Sequence, residues 1–241
     1  MTEQIIINNV SKSFGNFQVL TDVNFDMEAG KIYGFIGPSG AGKTTLVRMI
    51  AGMETPSKGS IYVLDKAVPD ITLLQSIGFM AQSDALYPEL TGRENLEFYT
   101  SLYSLKRTTA KERISYTSNL VGLQNDLHKK VSHYSGGMKR RLSLATALLH
   151  DPDILILDEP TVGIDPALRK TIWEELAKLK AQGKTIIITT HVMDEVERCD
   201  YIAMINDGSI LAEGTPHQLK QRYNAYSFDD VFINAGKQVS R

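Results

Sequence analysis

Cysteine is almost absent from this chain: Cys199 is the single one in 241 residues. One thiol cannot close an internal disulfide, so the fold stands on its core alone, and a reducing compartment is the expected setting. Charge of one sign is missing too. Twenty-six Lys and Arg against 28 Asp and Glu leave a formal net charge of −2. No global positive field draws such a chain to nucleic acid, and no nucleic-acid partner is expected. No apolar run approaches the roughly 20 residues that cross a bilayer. Met1-Thr2-Glu3-Gln4 has neither the basic start nor the apolar core of a signal peptide. Repeats and low-complexity tracts are also lacking. What is present is an ordinary globular composition, 42% hydrophobic and 22% charged, in a chain long enough to bury a sizeable core. The expectation is a cytosolic protein that serves a membrane only through a partner.

The chain changes rhythm twice. Its first part reads as short strands at Ile5–Ile7, Gln18–Phe25 and Lys31–Ile36, then a helix at Lys43–Ala51, then strands at Ser60–Leu64 and Ile77–Ala81. The middle reads as helices at Thr91–Leu105, Ala110–Leu120 and Gly136–Leu149, the last with apolar residues at Met138, Leu142, Ala145 and Leu149. Then α/β alternation resumes. Ile154-Leu155-Ile156-Leu157 is the continuous apolar run of a strand covered on both faces, and Asp165-Pro166 is a strong helix start with its stop at Gly183. A strand at Thr185–Thr189, a helix at Val192–Cys199 and strands at Ile202–Ile205 and Ile210–Ala212 follow, the last two joined by the turn Asn206-Asp207-Gly208. The reading is a discontinuous α/β core, about 1–84 and 152–223, with a helical insertion at about 85–151. Residues 224–241 are left as a tail without assigned structure.

Gly37-Pro38-Ser39-Gly40-Ala41-Gly42-Lys43-Thr44-Thr45 fits the phosphate-binding loop pattern in full, between a predicted strand and a predicted helix. Its glycines let successive N–H groups turn inward into an anion nest, and the helix behind adds the positive end of its dipole. Lys43 suits the β- and γ-phosphates, and the Thr44 hydroxyl suits Mg²⁺. A chance turn would match this pattern about once in a hundred chains of this length, so nucleotide binding is the conclusion. Asp158 and Glu159 end the apolar strand, where ligands gather in α/β sheets. Asp158 suits a metal shell, and Glu159 suits a water that must be oriented or deprotonated. His191 follows the next strand and offers an imidazole to the γ-phosphate; periodicity alone leaves that role level with a structural one. Gln82, after Ile77–Ala81, is a neutral group suited to Mg²⁺ or water and alone means nothing.

Ser135-Gly136-Gly137 opens a helix and makes a second anion site. Its plain alternative is an ordinary N-cap, with Lys139-Arg140-Arg141 as a solvated basic face. One triphosphate tail does not need two such loops from one chain. Either the protein holds two nucleotides or each copy supplies half of a shared site.

Gly37 to Thr45, Gln82, Ser135 to Met138, Ile154 to Glu159, Ile164-Asp165 and His191 stand in an order and spacing that resembles the ATPase domains of ABC transporters. The resemblance covers about residues 3–222. It implies an α/β P-loop NTPase core with a mainly parallel central sheet, an N-terminal antiparallel β subdomain and an inserted α-helical subdomain, the whole ending near residue 223. It implies ATP and Mg²⁺ as cofactors. By resemblance, Phe14 stacks on adenine, residues 37–45 hold the nucleotide, and Lys43, Glu159 and His191 serve catalysis. Thr44, Gln82 and Asp158 belong to the metal, Gln82 linking it to a membrane subunit's docking site. Ser135, Gly136, Gly137 and Met138 match the signature that closes over the nucleotide of the opposite subunit, and Asp165 matches the loop that crosses the dimer.

Tyr134 to Leu142 and Thr161 to Pro166 look like one branch, the ATPase subunits of exporters whose membrane part is a separate polypeptide. Tyr134 stands where Leu is commoner. Phe228-Asp229-Asp230-Val231-Phe232 resembles the end of such subunits but follows Leu219 sooner than usual. The implied partners are a second ATPase subunit, in the simplest case an identical copy, and an integral membrane permease docking at Ala85-Leu86-Tyr87-Pro88. The implied position is the cytoplasmic face of the membrane, held there by the permease. The main alternative is a soluble ATPase of the same family not coupled to transport. Ribosome-directed members usually carry two ATPase domains and repair members long coiled-coil insertions, and this chain shows neither.

Overall fold

The computed structural model describes residues 3–82 and 85–239, without the side chains of 237–239. In chain order it begins with strands β1 (Glu3–Phe14), β2 (Phe17–Glu28) and β3 (Ile32–Ile36), helix α1 (Lys43–Ile50) and strands β4 (Lys58–Val63) and β5 (Lys66–Ala67). The middle holds β6 (Ile77–Met80), α2 (Gly92–Leu102), α3 (Arg107–Leu120), α4 (Gly136–Leu148), β7 (Ile154–Asp158) and α5 (Pro166–Ala181). Last come β8 (Thr185–Thr190), α6 (Met193–Val196), β9 (Tyr201–Asn206), β10 (Ser209–Gly214), α7 (Pro216–Arg222) and α8 (Phe228–Val239). Two compact units emerge. One takes the chain up to Asp70 and again from Thr185; the other is Ile71–Lys184. Strands β6 and β7 and helix α5 therefore group with the helical residues, whereas the sequence reading put them with the α/β core.

In the first unit β1 pairs antiparallel with β2 and with β4, setting Ile5 opposite Met27 and Val63. Ile5, Ile7 and Val10 are buried on one side of it. β1 was expected only over Ile5–Ile7. It continues because Asn9, at φ +49°, bulges the strand and the register shifts between Ile7 and Val10 instead of ending. β3 runs parallel to β8 and β9, with Gly34 opposite Ile188 and Ile202. Every residue of β3 and β8 is buried, as strands covered on both faces require. β9 and β10 form an antiparallel hairpin, and its two-residue turn, Asp207 at φ +45° and Gly208 at +77°, is of the primed kind.

One expectation fails here, and one stretch without assigned structure gains an element. The helix foreseen at Val192–Cys199 is only Met193–Val196. The amides of Arg198 and Cys199 turn back three residues, and Asp200 N–H donates to Ile32 O at 2.8 Å, pulling the chain into β9. The unassigned tail is the helix α8. Its Phe228, Val231 and Ala235 are buried, and the Ser227 hydroxyl caps it by accepting from Asp230 N–H at 3.2 Å.

In the second unit β6 and β7 are parallel, Ile77 opposite Ile154 and Phe79 opposite Ile156. α4 was expected to carry spaced apolar residues at Met138, Leu142, Ala145 and Leu149, yet Leu142 to Leu149 is an unbroken buried run, so from Leu142 onward the helix is core on all sides. Thr91 and Glu94 close a capping box at α2, Glu94 Oε2 accepting from Thr91 N–H at 2.7 Å. α3 starts at Arg107 rather than Ala110, so the polar stretch before it is helix and not linker.

Candidate functional site

The phosphate loop leaves the buried strand β3 and enters α1. Gly42 is the N-cap at φ +104°. A Cβ there would lie 2.6 Å from Leu20 Cδ2 and 3.0 Å from Val19 O, so only glycine fits. The first amides of α1 have no acceptor inside the helix, and with the dipole they favour an anion. Ser39 and Gly40 are exposed at the mouth, and Thr44 and Thr45 are half-buried. Lys43 is buried, its ammonium donating to Gly37 O at 2.7 Å and Pro38 O at 2.9 Å. A buried cation is thereby satisfied by the loop's own carbonyls, which phosphate oxygens can replace.

Phe14 ends β1 and is 49% exposed, and Lys12 Nζ lies 4.7 Å from its ring centroid. His191 is exposed at the end of β8. Thr190 Oγ1 donates to the buried Glu195 Oε2 at 2.7 Å and accepts from Val192 N–H at 3.0 Å, so the bend carrying His191 is fixed on both flanks.

In the second unit β7 is buried throughout and ends on Asp158. Glu159 follows at φ +53°, a conformation uncommon for a non-glycine residue and characteristic of strained functional positions. Gln82 Nε2 donates to Glu159 Oε2 at 3.4 Å. The expectation that Lys139-Arg140-Arg141 is a solvated face is overturned for both arginines. Arg140 donates from Nη1 to Gln82 O at 2.9 Å, from Nε to Glu159 O at 3.1 Å and from Nη2 to Asp158 O at 2.5 Å. Its Nη2 also reaches Glu159 O. Arg141 Nη1 donates to Val121 O and Gly122 O, at 3.1 and 3.2 Å. Carbonyls left without partners by turns and strand ends attract a guanidinium, whose five donors are fixed in one plane.

Ser135 is the exposed N-cap of α4, its Oγ accepting from Met138 N–H at 3.2 Å. Gly136 is exposed beside it, and Gly137 and Met138 are half-buried. Tyr134, just before, is buried and donates to Asp126 O at 2.9 Å. Gly92 makes room for it, since a Cβ at 92 would stand 2.2 Å from the Tyr134 hydroxyl oxygen. Asp165 caps α5, Oδ1 accepting from Leu168 N–H at 3.0 Å. His150, after α4, stacks on Tyr103 with ring centroids 3.7 Å apart, its Nε2 lying 3.1 Å from Ile77 O. Burial pulls this imidazole down to about 4, against an ordinary 6.5, so it is neutral.

The expected site residues thus sort into two groups, Phe14, Gly37 to Thr45 and His191 in one unit, and Gln82, Ser135 to Met138, Asp158, Glu159 and Asp165 in the other. Within the second group Gln82, Asp158 and Glu159 are drawn together by Arg140, which sequence reasoning passed over. Thr190 and Glu195 were missed as well, although a buried acid four residues past a strand-end histidine is a readable pattern.

The chain as a whole is similar to known proteins. A family model described as ABC transporter matches residues 20–162. The Nod factor export ATP-binding protein I of Burkholderia orbicola is 43% identical over 218 residues, 89% of this chain and 72% of that protein. Its namesake in Rhizobium meliloti strain 1021 is 45% identical over 221 residues, 90% and 66% of the two chains. Among solved structures, an ATP-binding subunit of an ABC transporter superposes with a TM-score of 0.90 at 27% identity, covering 97% of this chain and 99% of that one. A dimeric ATP-binding cassette in a post-hydrolysis state with ADP and Pi superposes at 0.82 and 27% identity, covering 88% and 98%.

Proposed function

This chain belongs to the ABC transporter family, and we propose that it is the ATP-hydrolysing subunit of an exporter, driving transport through closure and opening of a pair of such subunits. The observation that carries the reading is 43–45% identity over about nine-tenths of the chain to export ATP-binding proteins. The phosphate loop, the strand-end acids and the capping serine are all intact beside it.

In this reading residues 37–45 cradle the phosphates, Lys43 offsets their charge and Phe14 stacks on adenine. Thr44, Gln82 and Asp158 hold Mg²⁺. All three offer oxygen donors, and no cluster of three or more His, Cys, Asp or Glu suited to a metal occurs among the described residues. Such a set fits an ion that keeps waters and is shared with substrate phosphates, which is the habit of Mg²⁺. When bound, the ion neutralises charge on the phosphates. Glu159 orients or deprotonates the attacking water, and His191 hydrogen-bonds the γ-phosphate. Ser135, Gly136, Gly137 and Met138 face the nucleotide of a second copy, with Asp165 on the loop that crosses between copies. Exposure of Ser135 and Gly136 supports that role. A two-fold pair makes the two sites equivalent; ATP favours the closed pair and hydrolysis releases it, a ligand-driven population shift.

No helix among the described residues is long and apolar enough to cross a membrane, so the transport path belongs to a permease. It docks on Ala85-Leu86-Tyr87-Pro88, where Tyr87 and Phe98 pack edge-on, centroids 4.7 Å apart, and both stay partly exposed. That docking holds the chain at the cytoplasmic face. Glu159→Gln is expected to keep ATP binding, lower phosphate release by about 10²–10⁴-fold and accumulate an ATP-bound dimer in size-exclusion runs. Undiminished turnover would remove Glu159 from the chemistry. Co-purification of a membrane subunit separates the exporter from a soluble ATPase.

A further inference from the structure

Arg140 joins three parts of the second unit that the proposed function uses for different things. It sits in the second turn of α4, five residues after Ser135, and grips the carbonyls of Gln82, Asp158 and Glu159. In the shared-site reading the start of α4 faces the nucleotide held by the partner, whereas Gln82, Asp158 and Glu159 act on the nucleotide held by this chain. One side chain thus links the element that reads one nucleotide to the backbone that presents the acid for the other. We propose that Arg140 is a positioning residue that sets the Glu159 and Gln82 backbones from the signature helix, so that engagement of the partner's nucleotide is felt at this chain's own site. The proposal rests on the shared-site reading.

Three features support it. Glu159 at φ +53° keeps a backbone conformation that a non-glycine residue holds only when its surroundings fix it. Two guanidinium nitrogens on its carbonyl supply that hold. Gln82, which also donates to the Glu159 carboxylate, has its own carbonyl on the same guanidinium, so both contacts to Glu159 depend on one anchor. Finally, α4 is buried on all sides beyond Leu142, so a shift at its exposed start moves the helix as a body and carries Arg140 along. A lysine keeps the charge but cannot span three carbonyls in one plane.

The test uses dimers purified through two tags, one on each copy. The second copy carries Glu159→Gln, which confines turnover to the site built from Glu159 of the first copy and the signature of the second. Arg140→Ala on the first copy is expected to lower kcat by about 10- to 100-fold, the cost of a misplaced group, with KM for ATP changed less than about twofold. Arg140→Lys there recovers part of the loss. On the second copy Arg140→Ala is expected to cost at least about tenfold less, because that arginine serves the inactive site. Equal losses on either copy, as simple unfolding would give, or no loss on the first, overturn the proposal. Ser135→Arg is the control for the reading beneath it, and should cost much more on the second copy than on the first. If it does not, the shared site fails; if it does and Arg140 shows no asymmetry, only the role of Arg140 fails.

Discussion

The phosphate loop and the signature helix both present helix N-termini to anions, and both have a long side chain on nearby carbonyls, yet only one is closed to side chains. At the phosphate loop the grip of Lys43 on Gly37 O and Pro38 O is joined by steric exclusion, since Gly42 leaves no space for a Cβ against Leu20 and Val19, whereas a Cβ at Gly136 would meet nothing within 4 Å. Around the signature helix the determinants are long side chains reaching backbone carbonyls. Arg140 and Arg141 do this, and Arg113 donates from Nε to Leu149 O at 3.0 Å and from Nη2 to Leu148 O at 2.5 Å. Asn95 does the same near the docking segment, exchanging hydrogen bonds with Tyr87 N–H and O at 2.9 and 3.0 Å. A steric loop is all or none. A loop held by side-chain donors can give way locally at modest cost, which suits parts that must respond to a partner.

The contrast is broken most directly at Gly42. Gly42→Ala forces a side chain onto a left-handed backbone and into Leu20, and is expected to cost about 3 kcal/mol or more in urea unfolding, with nucleotide binding lost in step. A variant as stable as the parent would mean that the loop is not fixed by sterics. Asn95→Ala tests the other side. Asn95 is fully buried, and its loss leaves Tyr87 N–H without its acceptor and Tyr87 O with only the Leu90 N–H at 3.2 Å, at about 1–3 kcal/mol. The effect should appear as faster amide exchange confined to residues 85–91 with global unfolding little changed. Uniform acceleration across the second unit would erase the distinction.

The smallest effect concerns His150, a buried ring of the second unit whose Nε2 meets the Ile77 carbonyl. Burial first, then the positive charges of Arg113 and Lys184, depress this imidazole to about 4, against the opposing pull of the Ile77 carbonyl and Asp151. Below pH 6.5 the unfolded chain takes up a proton that the folded chain refuses. Stability is therefore full above pH 6.5 and falls toward pH 4, by about 2 kcal/mol at pH 5. His150→Gln should flatten that part of the pH dependence in urea melts; an unaltered slope would assign it to other groups.

What was legible in the sequence was local. β3 running into a glycine loop and α1, Ser135 capping α4, and Asp165-Pro166 opening α5 each need only a few neighbouring residues, and each is found. What was illegible depends on distant partners. Arg140 finds carbonyls 19 and 58 residues away, and nothing in Lys139-Arg140-Arg141 separates that from a solvated face. The tail had its apolar spacing at Phe228, Val231 and Ala235, but a helix of 12 residues forms only against a surface, and that surface is assembled from α6, α7 and β10. In β1 the pair Asn8-Asn9 looks like a strand end until the bulge absorbs it.

The fit between Gly92 and Tyr134 has an evolutionary corollary. With 2.2 Å between a would-be Cβ at 92 and the tyrosine hydroxyl oxygen, drift at position 92 is closed to this lineage while the tyrosine stays. A change to leucine at 134 would open it, and would at the same moment strip the Asp126 carbonyl of its donor. The order of substitution is thereby constrained: 134 first, 92 afterwards.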